Sequence, residues 1–177
     1  MADSLVHPGD SGESTLLDGT RLPKDHTTFE ALGAVDELSA ALGVARAGLA
    51  ARGSSADAAK IREAQRVLVK IGAELATPPG SAAYGRLDRA AESDVAALDT
   101  LERALERRAP VPRGFVLPGA TELEARIHVA RTVCRAAERR LVSSAGAAPG
   151  HLVLALRYLN RLSSCLYWLA LCYGQDA

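Results

Sequence analysis

The stretch HVARTVCRAAERR, residues 128–140, sets four arginines, one glutamate and one histidine among small apolar residues. Arginine forks match the oxygens of phosphates and carboxylates two hydrogen bonds at a time, so the chemistry suggested is anion recognition. On a helix of about 100° per residue with Arg131 at zero, Glu138 falls near −20°, Arg135 near 40°, His128 near 60° and Arg139 near 80°. Ile127, Ala130, Val133, Cys134, Ala137 and Leu141 fill the adjoining arc, from about −40° to about −160°. An apolar seam therefore borders a narrow seam of mixed charge. Taken alone, such a seam also suits a solvated face whose i,i+4 pairs contribute about 0.2–0.5 kcal/mol each.

Two other polar residues stand in apolar helices. Asp36 lies in EALGAVDELSAALG, where Gly33 and Gly43 are expected to let a neighbouring helix approach. A carboxylate at that position needs a cationic partner if it is buried. Asn160 lies in YLNRLSS between Leu159 and Leu162. With the arginine seam, these residues predict a polar pocket at the bundle surface or between subunits. A third component is the stretch HPGDSGEST, where Gly9, Asp10, Gly12, Ser14 and Thr15 offer backbone N–H groups and hydroxyls suited to wrapping phosphates. Lys24 adds a point charge. The stretch is not a Walker A loop, since it has no GK[ST] ending and no preceding strand.

Helices must position these groups. Ala and Leu dominate the 177 residues and only 4% are aromatic, a mixture that favours helices over strands. Residues 1–25 show no steady apolar period and read as an irregular arm. Thr27 and Glu30 form a capping-box pattern opening a first helix, in which Leu32, Val35, Leu38, Leu42, Ala45 and Leu49 recur at threes and fours. A second helix is predicted from about Ala56 to Leu75, ended by TPPG. A third follows over about Ala91–Arg108. A fourth opens at the Thr121/Glu124 capping pattern and reaches about Ser144, and a fifth covers about His151–Tyr173. The expectation is an all-α, antiparallel five-helix bundle forming one domain (residues 26–177), preceded by the arm (residues 1–25).

The formal net charge of +0 provides no global field to draw nucleic acid or an anionic membrane, so any anion site must be local. No apolar run approaches the roughly 20 residues that span a bilayer, and no signal peptide is evident. Cys134, Cys165 and Cys172 form no metal-binding or disulfide pattern. They read as structural thiols in a reducing cytoplasm.

In this order, the segments resemble the PduO-type ATP:cob(I)alamin adenosyltransferases. VHPGDSGES matches in part the Thr-x-Thr-Gly-Asp-x-Gly-x-Thr loop of that family. RLPKD, VDEL, IGAELA, FVLPG, HVARTVCRAAER and YLNRLS follow in the family's sequence. The resemblance implies a trimer of five-helix bundles with active sites between subunits. It also implies transfer of the 5′-deoxyadenosyl group of ATP, with Mg²⁺, to the cobalt(I) of cobalamin. By motif, Arg135 contacts the triphosphate, and Arg131 pairs with Asp36 across the interface. Glu138 and Asn160 hold the nucleotide, while Gly9, Asp10, Gly12, Ser14 and Lys24 enclose ATP. Phe115 crowds the lower face of the corrin. Further partners implied are a reductase and an adenosylcobalamin-dependent enzyme. The chain departs from the family at Val6 and Pro8, where threonines are usual, at His7, and at Ser164, where the family has aspartate. A divergent paralogue that binds corrinoid or nucleotide without efficient transfer is the alternative reading.

Overall fold

The structure, a computed structural model, describes residues 9–112, 114–146 and 150–174. Five α-helices occur among them: α1 (Thr27–Ala51), α2 (Ser55–Leu75), α3 (Glu92–Arg108), α4 (Glu122–Ala145) and α5 (Val153–Cys172). Each buries most of the stripe its apolar spacing predicts, while Leu32, Leu101 and Val133 lie at its partly buried margin. In α1 the buried residues are Ala31, Ala34, Val35, Leu38, Leu42, Ala45 and Leu49. In α4 they include Ile127, Ala130, Cys134, Ala137 and Leu141.

Helix starts differ from expectation where local turns intervene. His26, not Thr27, caps α1, and its Nδ1 accepts from Thr28 N at 3.2 Å. His26 N itself donates to Pro23 O, so a tight turn ends there and the next residue is already helical. The Thr27/Glu30 box is therefore not made. At α4, Thr121 Oγ1 does accept from Glu124 N at 3.1 Å. The Glu124 carboxylate turns to Gly119 N instead, at 2.7 Å. A 3-10 turn at Gly150–Leu152 delays α5 to Val153.

The arm is not irregular throughout. Strand β1 (Glu13–Thr15) pairs antiparallel with β2 (Arg21–Pro23), Ser14 facing Leu22. Three-residue strands are too short to leave a period in the sequence. Asp18 closes the hairpin by accepting from Thr20 N at 2.9 Å, with Gly19 at φ +92°. Leu16 is buried, and Leu17 N donates to Ala76 O, fastening the hairpin to the end of α2.

Packing contacts order the helices α2–α1–α4–α5–α3 around the core. Consecutive helices run in opposite directions, while α3 and α5 lie side by side in the same direction. Cys165 Sγ donates to Leu98 O, and seven residues on Cys172 Sγ reaches Leu105 O. Cys134 Sγ donates to Leu159 O, so each thiol bridges two helices. The close approach of α1 and α4 falls at Gly48 rather than at Gly33 or Gly43. A methyl on Gly48 would stand 2.9 Å from Leu123 Cδ1, whereas Gly33 faces open space and Gly43 makes only ordinary contact with Gln65.

One polar knot joins helices α2, α3 and α5. Asp57, buried, accepts both arms of the Arg108 fork at 3.1 and 2.6 Å and the Tyr173 hydroxyl at 2.6 Å. Arg108 is half exposed, which screens its share. Asp57→Ala should lower unfolding free energy by about 2 kcal/mol. An unchanged urea midpoint would show that the knot adds nothing to stability.

Candidate functional site

Because small residues of α4 are buried between α1 and α5, the neighbouring polar positions emerge along the α4–α5 edge. Arg131, Arg135, Glu102, Ser163, Ser164, Tyr167 and Trp168 line an open groove of about 230 Å³. Neither Arg131 nor Arg135 has a carboxylate partner among the described residues. Burial pushes the Glu102 carboxyl up, with Arg161 pulling it the other way. Next to the groove, Asn160 Nδ2 donates to Glu138 Oε1 at 3.1 Å. Arg161 Nη1 donates to Asn160 Oδ1 at 3.0 Å, and its Nε to Asp99 at 2.9 Å. Asn160 is thus oriented from both ends of its amide, and the Glu138 side chain keeps acceptor capacity to spare.

Beneath the arginines lies a buried pair. Glu124 is 1% exposed and His128 3%, although the helical projection groups His128 with the charged seam. Glu124 Oε1 stands 2.9 Å from His128 Nε2, and Arg131 Nε donates to His128 Nδ1 at 3.1 Å. Burial holds the His128 imidazole below its ordinary value; Glu124 opposes this and Arg131 adds to it.

The structure gathers Arg131, Arg135, Glu138 and Asn160 on one face. Gly9, Gly12, Ser14 and Lys24 gather at the arm: Gly12 N donates to Gly9 O, Lys24 N to Gly12 O, and the Lys24 side chain packs over Gly9. Asp10 is exposed in the same turn. The backbone bond of Leu17 carries this group to the end of α2. Asp36 is exposed on α1 beside Val35, Ser39 and Val69, so burial does not demand a cation there, and Arg131 is not its partner within the chain. Phe115, 94% exposed, stands on the connection from α3 to α4. Val6, His7 and Pro8 lie outside the described residues. Tyr167 and Trp168 carry no signal of the site in the sequence, and Glu124 stands out there only in the Thr121/Glu124 capping pattern. Glu124 was within reach, because two turns before Arg131 it projects only about 20° from it.

A helical bundle that displays two arginines without carboxylate partners among the described residues, beside an oriented amide and carboxylate, has the chemistry to receive an anion. The chain belongs to the family described as Cobalamin adenosyltransferase, which matches residues 5–173. It is 38% identical over 169 residues to the corrinoid adenosyltransferase PduO of Citrobacter freundii, covering 96% of this chain and 49% of that protein. The corrinoid adenosyltransferase MMAB of Mus musculus is 36% identical over 165 residues, 92% of this chain and 68% of that one. The chain thus spans about half the length of the PduO relatives it matches. Among solved structures, a variant PduO-type ATP:corrinoid adenosyltransferase from Lactobacillus reuteri, complexed with cobalamin and ATP, superposes with a TM-score of 0.81. Sequence identity there is 25%, with 94% of this chain and 90% of that chain covered. A second variant of that enzyme, complexed with ATP, gives 0.83 at 28% identity, covering 94% and 91%.

The His128 geometry predicts a pH effect on stability. Unfolded, its imidazole takes a proton near 6.5; folded, its affinity for that proton is lowered. Below that pH the unfolded state binds more protons, so stability falls as the pH drops from 6.5 through the lower folded value. The urea midpoint should decline between about pH 7.5 and about pH 5.5, and decline less in His128→Asn. Equal declines in the two proteins would assign the effect to other groups.

Proposed function

We propose that the chain transfers the 5′-deoxyadenosyl group of ATP to the cobalt(I) of a reduced corrinoid, giving adenosylcobalamin and triphosphate. The observation that carries this reading is the pair of arginines, Arg131 and Arg135, which line one groove and form no ion pair with a carboxylate among the described residues. Family membership supplies the substrate class. In the reaction, the cobalt(I) electron pair forms the bond to C5′ while the C5′–O bond breaks toward the triphosphate. The metal of the corrinoid is the nucleophile, so the protein has to align reactants and stabilise the charge growing on the leaving group.

Arg135, exposed and without a carboxylate partner among the described residues, is assigned to the triphosphate. Glu138 and Asn160, already bonded to each other, hold the nucleoside end. Gly9, Asp10, Gly12, Ser14 and Lys24, in an arm spanning residues 1–25, close over ATP. Phe115 meets the lower face of the corrin. Among the described residues no three His, Cys, Asp or Glu side chains group as a metal site. Mg²⁺ is therefore taken to arrive on the ATP phosphates, with the arm around it.

The site is divided between copies in a homotrimer. Its phosphate-wrapping arm is fastened to α2, its arginines stand on α4, and Asp36, exposed on α1, pairs with Arg131 of a neighbour in this reading. One bundle domain, residues 26–177, carries all but the arm. Among the described residues no helix is long and apolar enough to cross a membrane. The assignment is a cytoplasmic enzyme that binds neither membrane nor nucleic acid. It is served by a reductase and serves an adenosylcobalamin-dependent enzyme.

The test mixes the protein with ATP, Mg²⁺ and chemically reduced cobalamin and follows the absorbance of adenosylcobalamin. Turnover is expected, with a loss of at least about 100-fold in Arg135→Ala. Corrinoid or ATP binding without turnover supports the alternative, a divergent binding paralogue, which the replacement of loop threonines by Val6 and Pro8 favours. A separate outcome concerns assembly. Asp36→Asn should shift the protein toward smaller species in analytical ultracentrifugation and lower its turnover; an intact trimer with full turnover removes the intersubunit pair.

A further inference from the structure

Glu124, His128 and Arg131 form a continuous chain of contacts along one line of α4. Arg131 Nε donates to His128 Nδ1, so Nδ1 carries no proton and the ring's proton sits on Nε2, facing Glu124. Nε2 and Glu124 Oε1 are 2.9 Å apart but out of line for a hydrogen bond, which leaves the link electrostatic. The other oxygen of Glu124 accepts from Gly119 N at 2.7 Å. None of the roles assigned above includes Glu124 or His128.

We propose that Glu124 and His128 are positioning residues for Arg131. The proposal rests on the reading that Arg131 works at a site between subunits. The choice of acceptor is the key to it. A carboxylate bonded to Arg131 would orient the guanidinium and also cancel its charge. A neutral imidazole orients it through Nε and leaves the positive charge of the guanidinium uncancelled where Arg131 lines the groove. Glu124 faces the protonated Nε2, which keeps Nδ1 free as the acceptor. Because the same carboxylate ties down Gly119, one buried group anchors both the arginine and the end of the connection that carries Phe115.

Two substitutions of similar polarity separate this role from a merely structural one. The amide of His128→Asn places an acceptor near the position of Nδ1. His128→Gln places its amide near Nε2, keeping the contact with Glu124 and removing the acceptor from Arg131. The Arg131 Nε–H signal is read by ¹⁵N NMR of the full chain, with exchange against water measured. Exchange should be slow in the native protein and in His128→Asn, and about ten-fold faster in His128→Gln, as for a side chain that has lost its partner. In the cob(I)alamin assay, His128→Gln should lower kcat about ten-fold at saturating ATP, with His128→Asn recovering to within about three-fold. Equal exchange in the two variants, slow or fast, overturns the proposal. Native protein that shows the expected exchange pattern but no turnover sinks the transferase reading and leaves the positioning of Arg131 standing.

Discussion

The burial of small side chains on α4 is the constraint on which the rest of the molecule depends. Ala130, Cys134 and Ala137 are wholly buried, with Ile127 and Leu141 at either end of the same stripe. Small residues let α1 and α5 approach closely from both sides, and Cys134 uses that closeness to reach Leu159 O. Polar residues at the next helical positions are then forced to the edge of the α4–α5 contact. A larger residue at Ala137 would push α5 away and separate Glu138 from Asn160. Packing therefore sets the site as much as its polar groups do.

Much of this was legible in the sequence, because long helices repeat a strong signal. Five apolar stripes at threes and fours gave the helices to within a residue or two. The same projection placed Glu138 and Arg131 nearest the border of the buried seam, with Arg135 farther into the charged one. Shorter features did not register. The hairpin of β1 and β2 has no period, and the His26 cap depends on a turn closed by Pro23. Asp36 illustrates a different failure: apolar neighbours on both sides in sequence suggested burial, yet its own helical position faces outward. His128 failed in the opposite sense, since Tyr167 and Glu124 cover a position that α4 alone would leave at the charged edge.

The polar groups divide by how they are held. Asp57 and Glu74 are buried acids that fix connections: one joins three helices, and the other accepts the Tyr84 hydroxyl below the α2–α3 crossover. Each has donors on more than one side, which is what a buried carboxylate needs to avoid a large desolvation penalty. On the α4–α5 face the arrangement is different. The network running from Glu138 through Asn160 and Arg161 to Asp99 is exposed, so its strength is limited by solvent, and its effect is orientation.

The two groove arginines carry this distinction to its end. Both are cations left without carboxylates on one helix four residues apart, an arrangement that is mildly repulsive by itself. Repulsion of that kind is relieved by an anion in the groove and not by folding, so it favours ligand over empty protein. Arg131 is half-buried and held through Nε; Arg135 is exposed, with no side-chain partner among the described residues. A held cation suits a fixed protein carboxylate, as an interface demands. A loosely held one suits a triphosphate, whose charge grows and whose oxygens move as the bond to carbon breaks.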